Sequence, residues 1–240
     1  MTTAHTRNTR HYRYFDLIMA AFVAVLLCSN MIGPGKSCRV TVLGVSLVFG
    51  VGNLFFPISY IFGDVLTEVY GYARARKVIW AGFGAMLFYV VMSQIVIAMP
   101  VNPAEPFNER LQPALEICFG ASWRIVSASI LAFWVGDFVN SFVLAKMKLL
   151  TGGRWLWTRT IGSTTLGQFV DSAIFYPLAF ANVWEAETIV NVVLFNWLLK
   201  VAVEVCFTPL TYLIVGWLKR AEQEDYFDVH TNFTPFSLTD

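Results

Sequence analysis

The chain has 240 residues, of which 57% are hydrophobic, 16% aromatic and only 14% charged, with a mean hydropathy of +0.60. A soluble domain carries about 25% charged residues, so this composition excludes disorder and argues against an ordinary soluble fold. The formal net charge of +1 creates no basic field, which sets nucleic acid aside as a partner, and four cysteines do not make a disulfide scaffold.

A transmembrane helix needs roughly 20 apolar residues, and six such runs are predicted in chain order. Residues 14–32 form the first, behind Arg7, Arg10 and Arg13. It is longer than the core of a signal peptide and reads as a retained span. The β-branched stretch 39–49 reads as a short strand or a re-entrant element. Residues 50–70 form the second span, broken by Gly52, Asn53, Pro57 and Gly63. Residues 78–100 form the third. The connection with Pro103, Pro106 and Pro113 follows, and its segment 105–119 reads as an interfacial helix. Spans four, five and six are residues 122–147, 160–181 and 189–218, and the last is long enough to tilt. The chain thus divides into an N-terminal segment (1–13), a six-span domain (14–220) and a polar tail (221–240). Its fold class is an all-α integral membrane protein.

The cations set the orientation. Arg7, Arg10, Arg13, Arg74, Arg76, Lys77, Lys146, Lys148, Arg154, Arg159, Lys219 and Arg220 fall on one side. Lys36, Arg39, Arg110 and Arg124 fall on the other, and Lys200 lies inside span six. The first side is therefore cytoplasmic and carries both termini. Three spans per half give the halves opposite orientations, the arithmetic of an inverted 3+3 repeat.

A charge at the bilayer centre costs roughly 2.5–3.5 kcal/mol on insertion scales, so each one asks for a reason. Asp171 lies mid-span on a stripe with Thr164, Gln168 and Phe175, and has no cation within its own span. Asp137 shares a face with Asn140, and Asp64 lies one turn from Glu68. Asn30 lies towards the outer end of span one. Lys200 and Glu204 are one turn apart and read as a structural or coupling pair. Glu68 reads either as part of the pathway or as an anchor paired with Arg74 or Arg76. Asn53 and Gln94 read as interhelical glue. Trp155, Trp157 and Trp217 read as interface anchors, and Phe175 and Tyr176 as the aromatics best placed to stack on a ligand. Acids at depth outnumber cations, which suits a cavity that binds donors, cations or protons.

The histidines, His5, His11 and His230, all lie in the terminal tails. That removes histidine-type zinc sites, haem ligation and Ser-His or Cys-His nucleophiles. There is no P-loop. No cofactor, metal or enzymatic activity is expected. Cys28 and Cys206 read as apolar fillers, and Cys38 and Cys118 fall on the outer side, with a disulfide between them left open.

Three stretches carry a family resemblance: residues 56–76 (FPISYIFGDVLTEVYGYARAR), residues 136–148 (GDFVNSFVLAKMK) with 159–180 (RTIGSTTLGQFVDSAIFYPLAF), and residues 227–236 (FDVHTNFTPF). Together they resemble the bacterial queuosine precursor transporters, also called the vitamin uptake transporter or YhhQ-type family. The resemblance implies a six-span inner-membrane importer of a 7-deazaguanine, such as 7-cyano-7-deazaguanine or its aminomethyl counterpart. It maps the family's polar positions to Asn30, Asp64, Glu68, Asp137, Asn140, Arg159, Gln168 and Asp171. The expected partners are a small purine-like substrate and the lipid bilayer, with homo-oligomerisation left open. The alternative is a membrane substrate-binding subunit of a multi-component vitamin or nucleobase importer driven by a separate ATPase.

Overall fold

The structure is a computed structural model that describes residues 12–32, 37–42, 45–50, 56–120 and 123–237. Among these residues the chain forms seven helices and one β-hairpin. The helices are α1 (Phe15–Ile32), α2 (Phe56–Tyr70), α3 (Tyr72–Ala98), α4 (Asn108–Phe119), α5 (Trp123–Thr151), α6 (Leu156–Phe180) and α7 (Ala186–Glu222). Each predicted span contains one helix, and α4 occupies the predicted interfacial segment. Asn53 lies outside the described residues.

The stretch 39–49 departs from expectation. It forms strand, but as two antiparallel strands rather than one, β1 (Ser37–Val42) and β2 (Val45–Gly50), in register from Ser37 opposite Gly50 to Val42 opposite Val45. Its β-branched residues favour strand.

Three helices, α3, α5 and α7, are long and apolar enough to cross a membrane. α3 and α7 leave many of their apolar residues exposed, including Phe88, Ile95, Phe195, Leu198 and Leu213, as a lipid solvent requires. α7 has 37 residues. At about 1.5 Å per residue it spans about 55 Å, well beyond a hydrocarbon core of about 30 Å. α6 is as long as a span but more polar. Its Thr160, Ser163, Thr164, Gln168 and Ser172 are buried against α5 and α7 rather than exposed.

The main apolar core joins Phe22 and Leu26 of α1, Val65, Leu66 and Val69 of α2, Val78 and Met86 of α3, and Leu218 of α7. One end of the bundle gathers the start of α1, the α2–α3 and α5–α6 turns, and the tail after α7. There Glu222 accepts from the backbone N–H groups of Arg13 and Tyr14 and from the Tyr70 hydroxyl. The other end carries the hairpin, α4 and the α6–α7 turn. There the Gln94 amide donates to the Phe119 carbonyl, tying α3 to α4 as expected. Arg124 donates to the Leu178 and Ala181 carbonyls, which tie α5 to the end of α6.

The tail crosses the first end as an irregular strap. Arg76 donates to the Asn232 and Thr234 carbonyls, Trp80 to the Pro235 carbonyl, and Tyr72 to the Phe233 carbonyl. Asp228 accepts from the Tyr72 backbone N–H at the start of α3. Gly71 makes this docking feasible. Its φ is 85°, and a Cβ there would collide with the Tyr226 ring.

α5 and α6 make the most extensive helix pair in the molecule. They meet at glycines. A Cβ at Gly136 would stand 2.9 Å from Asp171 Cβ, and one at Gly167 would stand 2.8 Å from Asn140 Cβ and 3.0 Å from the Gly136 carbonyl oxygen. Small residues let helices in a bilayer approach to backbone contact, and here they set the polar residues of both helices side by side. Gly167→Val is expected to cost about 1–3 kcal/mol by overpacking and to lower the unfolding temperature in detergent. Gly84→Val, where a Cβ meets nothing within 4 Å, is the control. Equal unfolding temperatures for the two variants would contradict this docking.

Candidate functional site

A cavity of about 160 Å³ lies among α1, α2, α5, α6 and α7, lined by Asn30, Ser59, Tyr60, Ser129, Phe133, Asp137, Gln168, Asp171, Phe175, Tyr176 and Lys200 together with Leu26 and Ala132. At about 30 Å³ per water it would hold about five waters, the scale of a small molecule. Five of the expected substrate-binding residues line it: Asn30, Asp137, Gln168, Asp171 and Phe175. Tyr60 and Ser129 escaped notice in the sequence. They lie at i−4 from Asp64 and i−8 from Asp137, so helical spacing would have found them.

The expected pairing of Lys200 with Glu204 is overturned. Lys200 Nζ lies 2.5 Å from Asp171 Oδ2, and it also lies over the Tyr60 ring at 6.0 Å. The i+4 spacing placed Glu204 near on one helix face, but a partner from the adjacent helix won. Asp171 therefore does have a cation, supplied by α7. Asp137 makes no hydrogen bond among the described residues. Gln168 is 3% exposed, and its Oε1 has no partner. Asn30 spends its amide on the Leu26 carbonyl, 2.8 Å away. Phe175 and Tyr176 meet edge to face at 5.0 Å.

Asp64 and Asn140 lie one turn deeper, outside the lining. The Asn140 amide donates to Asp64 Oδ1 at 2.8 Å, and both residues are buried. Glu204 is buried as well.

Glu68 lies deeper again, at the closed end, and its partners are not Arg74 or Arg76. Arg159 Nε and Nη2 grip its two oxygens at 2.7 and 2.8 Å. Lys219 Nζ lies 2.5 Å and Lys148 Nζ 3.5 Å from Oε1. Lys148 and Lys219 also reach Asp225 of the tail, at 2.5 and 2.7 Å. Arg76 is committed to the tail, and Arg74 to the Tyr70 carbonyl and the Tyr12 ring. Burial pushes the Asp225 carboxyl up, but the hydrogen bonds from Lys148 and Lys219 outweigh it and hold the group below the ordinary aspartate range.

A second cavity adjoins the first. Asn30 and Ser129 line both, and Met86, Tyr89, Gln94, Cys118 and Phe119 line the second alone. It reaches the C-terminal end of α4. Cys118 is exposed and free, and the Cys38 side chain lies outside the described residues. No group of three or more His, Cys, Asp or Glu suited to a metal occurs among the described residues.

Polar groups thus lie in three tiers, an open cavity above two closed layers, inside a helical bundle with an apolar exterior. The family described as "Putative vitamin uptake transporter" matches residues 50–214, which include most of the residues of the three tiers but not Leu26, Asn30, Lys219 or Asp225. The chain belongs to this family. It is a membrane protein of a transporter family. Among relatives of this chain, the "Probable queuosine precursor transporter" of Bacillus subtilis (strain 168) is 32% identical over 163 residues, 68% of this chain and 69% of that one. That of Haemophilus influenzae (strain ATCC 51907 / DSM 11121 / KW20 / Rd) is 24% identical over 194 residues, 77% and 78% of the two chains. The "Queuosine precursor transporter" of Escherichia coli (strain K12) is 22% identical over 218 residues, 89% and 91%. No solved structure matches the chain significantly. The family match begins after α1, so Asn30 joins the cavity from outside it.

Removing one partner from a buried ion pair costs about 3–5 kcal/mol. Glu68→Gln should therefore lower the unfolding temperature in detergent far more than Arg74→Gln. Similar shifts would contradict the assignment of the cluster. The depressed Asp225 carboxyl contributes stability that is present above its unfolded value, about 3.9, and is lost as pH falls through its lower folded value. Unfolding temperatures measured downward from pH 5 should fall more steeply for the parent than for Asp225→Asn.

Proposed function

We propose that the chain imports a 7-deazaguanine queuosine precursor, 7-cyano-7-deazaguanine or its aminomethyl counterpart, through the bacterial inner membrane, and that it catalyses no reaction. The relatives' names supply the substrate class. The observation that carries the reading is the set of uncommitted acceptors and held donors around one cavity. Asp137 offers a carboxylate to the ring and exocyclic N–H groups of a guanine-like edge, which a carboxylate accepts in parallel. Gln168 and Lys200 stand ready to donate to the ring carbonyl, with Asp171 holding Lys200 in place. Phe175 and Tyr176 supply a wall for the flat heterocycle. The pairing of Asp171 with Lys200 favours Asp137, rather than Asp171, as the recognition edge.

α1, α2, α3, α5, α6 and α7 are six spans in this reading, with α4 at the outer interface and both termini cytoplasmic. The cation asymmetry and the alternating ends of the bundle support it. The 3+3 division would relate α1–α3 to α5–α7 as an inverted repeat. In a cysteine-free background, Asn102→Cys should react with an impermeant maleimide from outside cells; reaction from the inside alone would contradict this orientation.

A hydrogen bond to a charged group is worth about 1.5–3 kcal/mol, so Asp137→Asn should weaken binding of 7-cyano-7-deazaguanine to purified protein about 10- to 150-fold. Unchanged affinity would remove Asp137 from the site. Proteoliposomes holding this chain alone should take up the base. Uptake only after a separate ATPase is added would favour the binding-subunit reading.

A further inference from the structure

One turn below the cavity, two acids lie in a layer that recognition of the base does not use. Asp64 is 0% and Glu204 1% exposed, and they are close enough for their charges to interact. Their four carboxylate oxygens receive a single hydrogen bond, from the Asn140 amide to Asp64 Oδ1. Asp64 Oδ2, both oxygens of Glu204 and Asn140 Oδ1 are buried without a partner. All four are acceptors, so the layer is short of donors.

The neighbouring cations are spent elsewhere. Lys200, one turn up α7, is bound to Asp171, while Arg159, Lys148 and Lys219 are gathered on Glu68. The other charges acting on Asp64 are the acids Glu68 and Asp137. The charged residues of α1 and α3 are Asp16, Arg74, Arg76 and Lys77, all at the closed end. α6 brings Arg159 and Asp171, both already paired.

Two ionised carboxylates here would combine like-charge repulsion with uncompensated burial. A bound proton relieves both, because it removes one charge and turns an acceptor into a donor. A metal ion fits less well, since no group of three His, Cys, Asp or Glu suited to one occurs among the described residues. Asn140 lies at i+3 from Asp137, so it joins this layer to the cavity along one face of α5.

We propose that Asp64 and Glu204 form a proton-binding pair that couples substrate import to the inward proton gradient. The coupling rests on the transporter reading above. In each cycle one proton leaves a hydronium ion on the outer side and forms an O–H bond with the pair. That bond breaks when the proton passes to water at the closed end. With a neutral base, one positive charge moves inward per substrate.

The test uses the full chain in proteoliposomes, with labelled 7-cyano-7-deazaguanine and an imposed pH gradient, alkaline inside. One pH unit is worth about 1.4 kcal/mol per proton and sustains about tenfold accumulation. The parent should accumulate the base to that extent. Glu204→Gln should fall to the equilibrium level while still exchanging labelled for unlabelled base, which shows that it is folded. Infrared spectra in neutral buffer should contain a protonated-carboxyl C=O band that diminishes in Glu204→Gln and in Asp64→Asn. Four outcomes would overturn the proposal: accumulation by the parent that ignores the pH gradient, accumulation that follows a sodium gradient instead, parent-like accumulation by Glu204→Gln, or a carboxyl band that neither substitution changes. Exchange without gradient response would leave the transporter reading standing. A band that diminishes as described in protein that neither takes up nor exchanges the base would end the transporter reading, and the coupling with it.

Discussion

Glu68 has no exposed surface, yet it receives charge-assisted hydrogen bonds from Arg159 of α6 and Lys219 of α7. Lys148 of α5 donates to its backbone carbonyl, and Asp225 of the tail binds both lysines. One carboxylate on α2 therefore ties four helices and the tail together. A buried charge in a medium of low dielectric is tolerable only when its partners are complete, so these five elements must converge at the same end. That convergence closes the bundle there and leaves the cavity blind on that side. Away from that end, the second cavity shares Asn30 and Ser129 with the first and reaches Cys118 and Phe119 of α4.

The close approach of α5 and α6 at Gly136 and Gly167 does the complementary work. It brings Asp137 and Asn140 beside Gln168 and Asp171 with no side chain between the backbones. The two devices act at different depths: the glycines set the spacing of the cavity wall, and the ion cluster sets where the cavity ends. For an importer of the kind proposed, release to the cytoplasm would require the Glu68 cluster to part, and the tail with it. Arg76, Trp80 and Tyr72 hold the tail by its backbone carbonyls, so it is a fixed strap across that end, whatever its polarity suggested.

Much of this was legible in the sequence. Hydropathy located a helix in each of the six predicted runs, because a long apolar run in lipid has few alternatives to a helix. Helical spacing put Gln168, Asp171 and Phe175 on one stripe, and all three line the cavity, because a stripe on one helix needs no knowledge of its neighbours. Interhelical choices were not legible. Lys200 had Glu204 one turn away and chose Asp171, and Glu68 had Arg74 and Arg76 within a few residues and drew its cations from other helices. A pair within one helix is visible as a number, whereas a pair across helices depends on rotation and depth. The hairpin was half read, since a β-branched stretch indicates strand but not where it reverses.

A structure of the chain with 7-cyano-7-deazaguanine bound in lipid bears most directly on the central claim, that the cavity among α1, α2, α5, α6 and α7 is the substrate site. The base should lie against Phe175 and Tyr176, with its N–H edge within hydrogen-bond distance of Asp137 and its carbonyl towards Gln168 and Lys200. A base seated only between α3 and α4, or density that leaves Asp137 without contact, would contradict that claim.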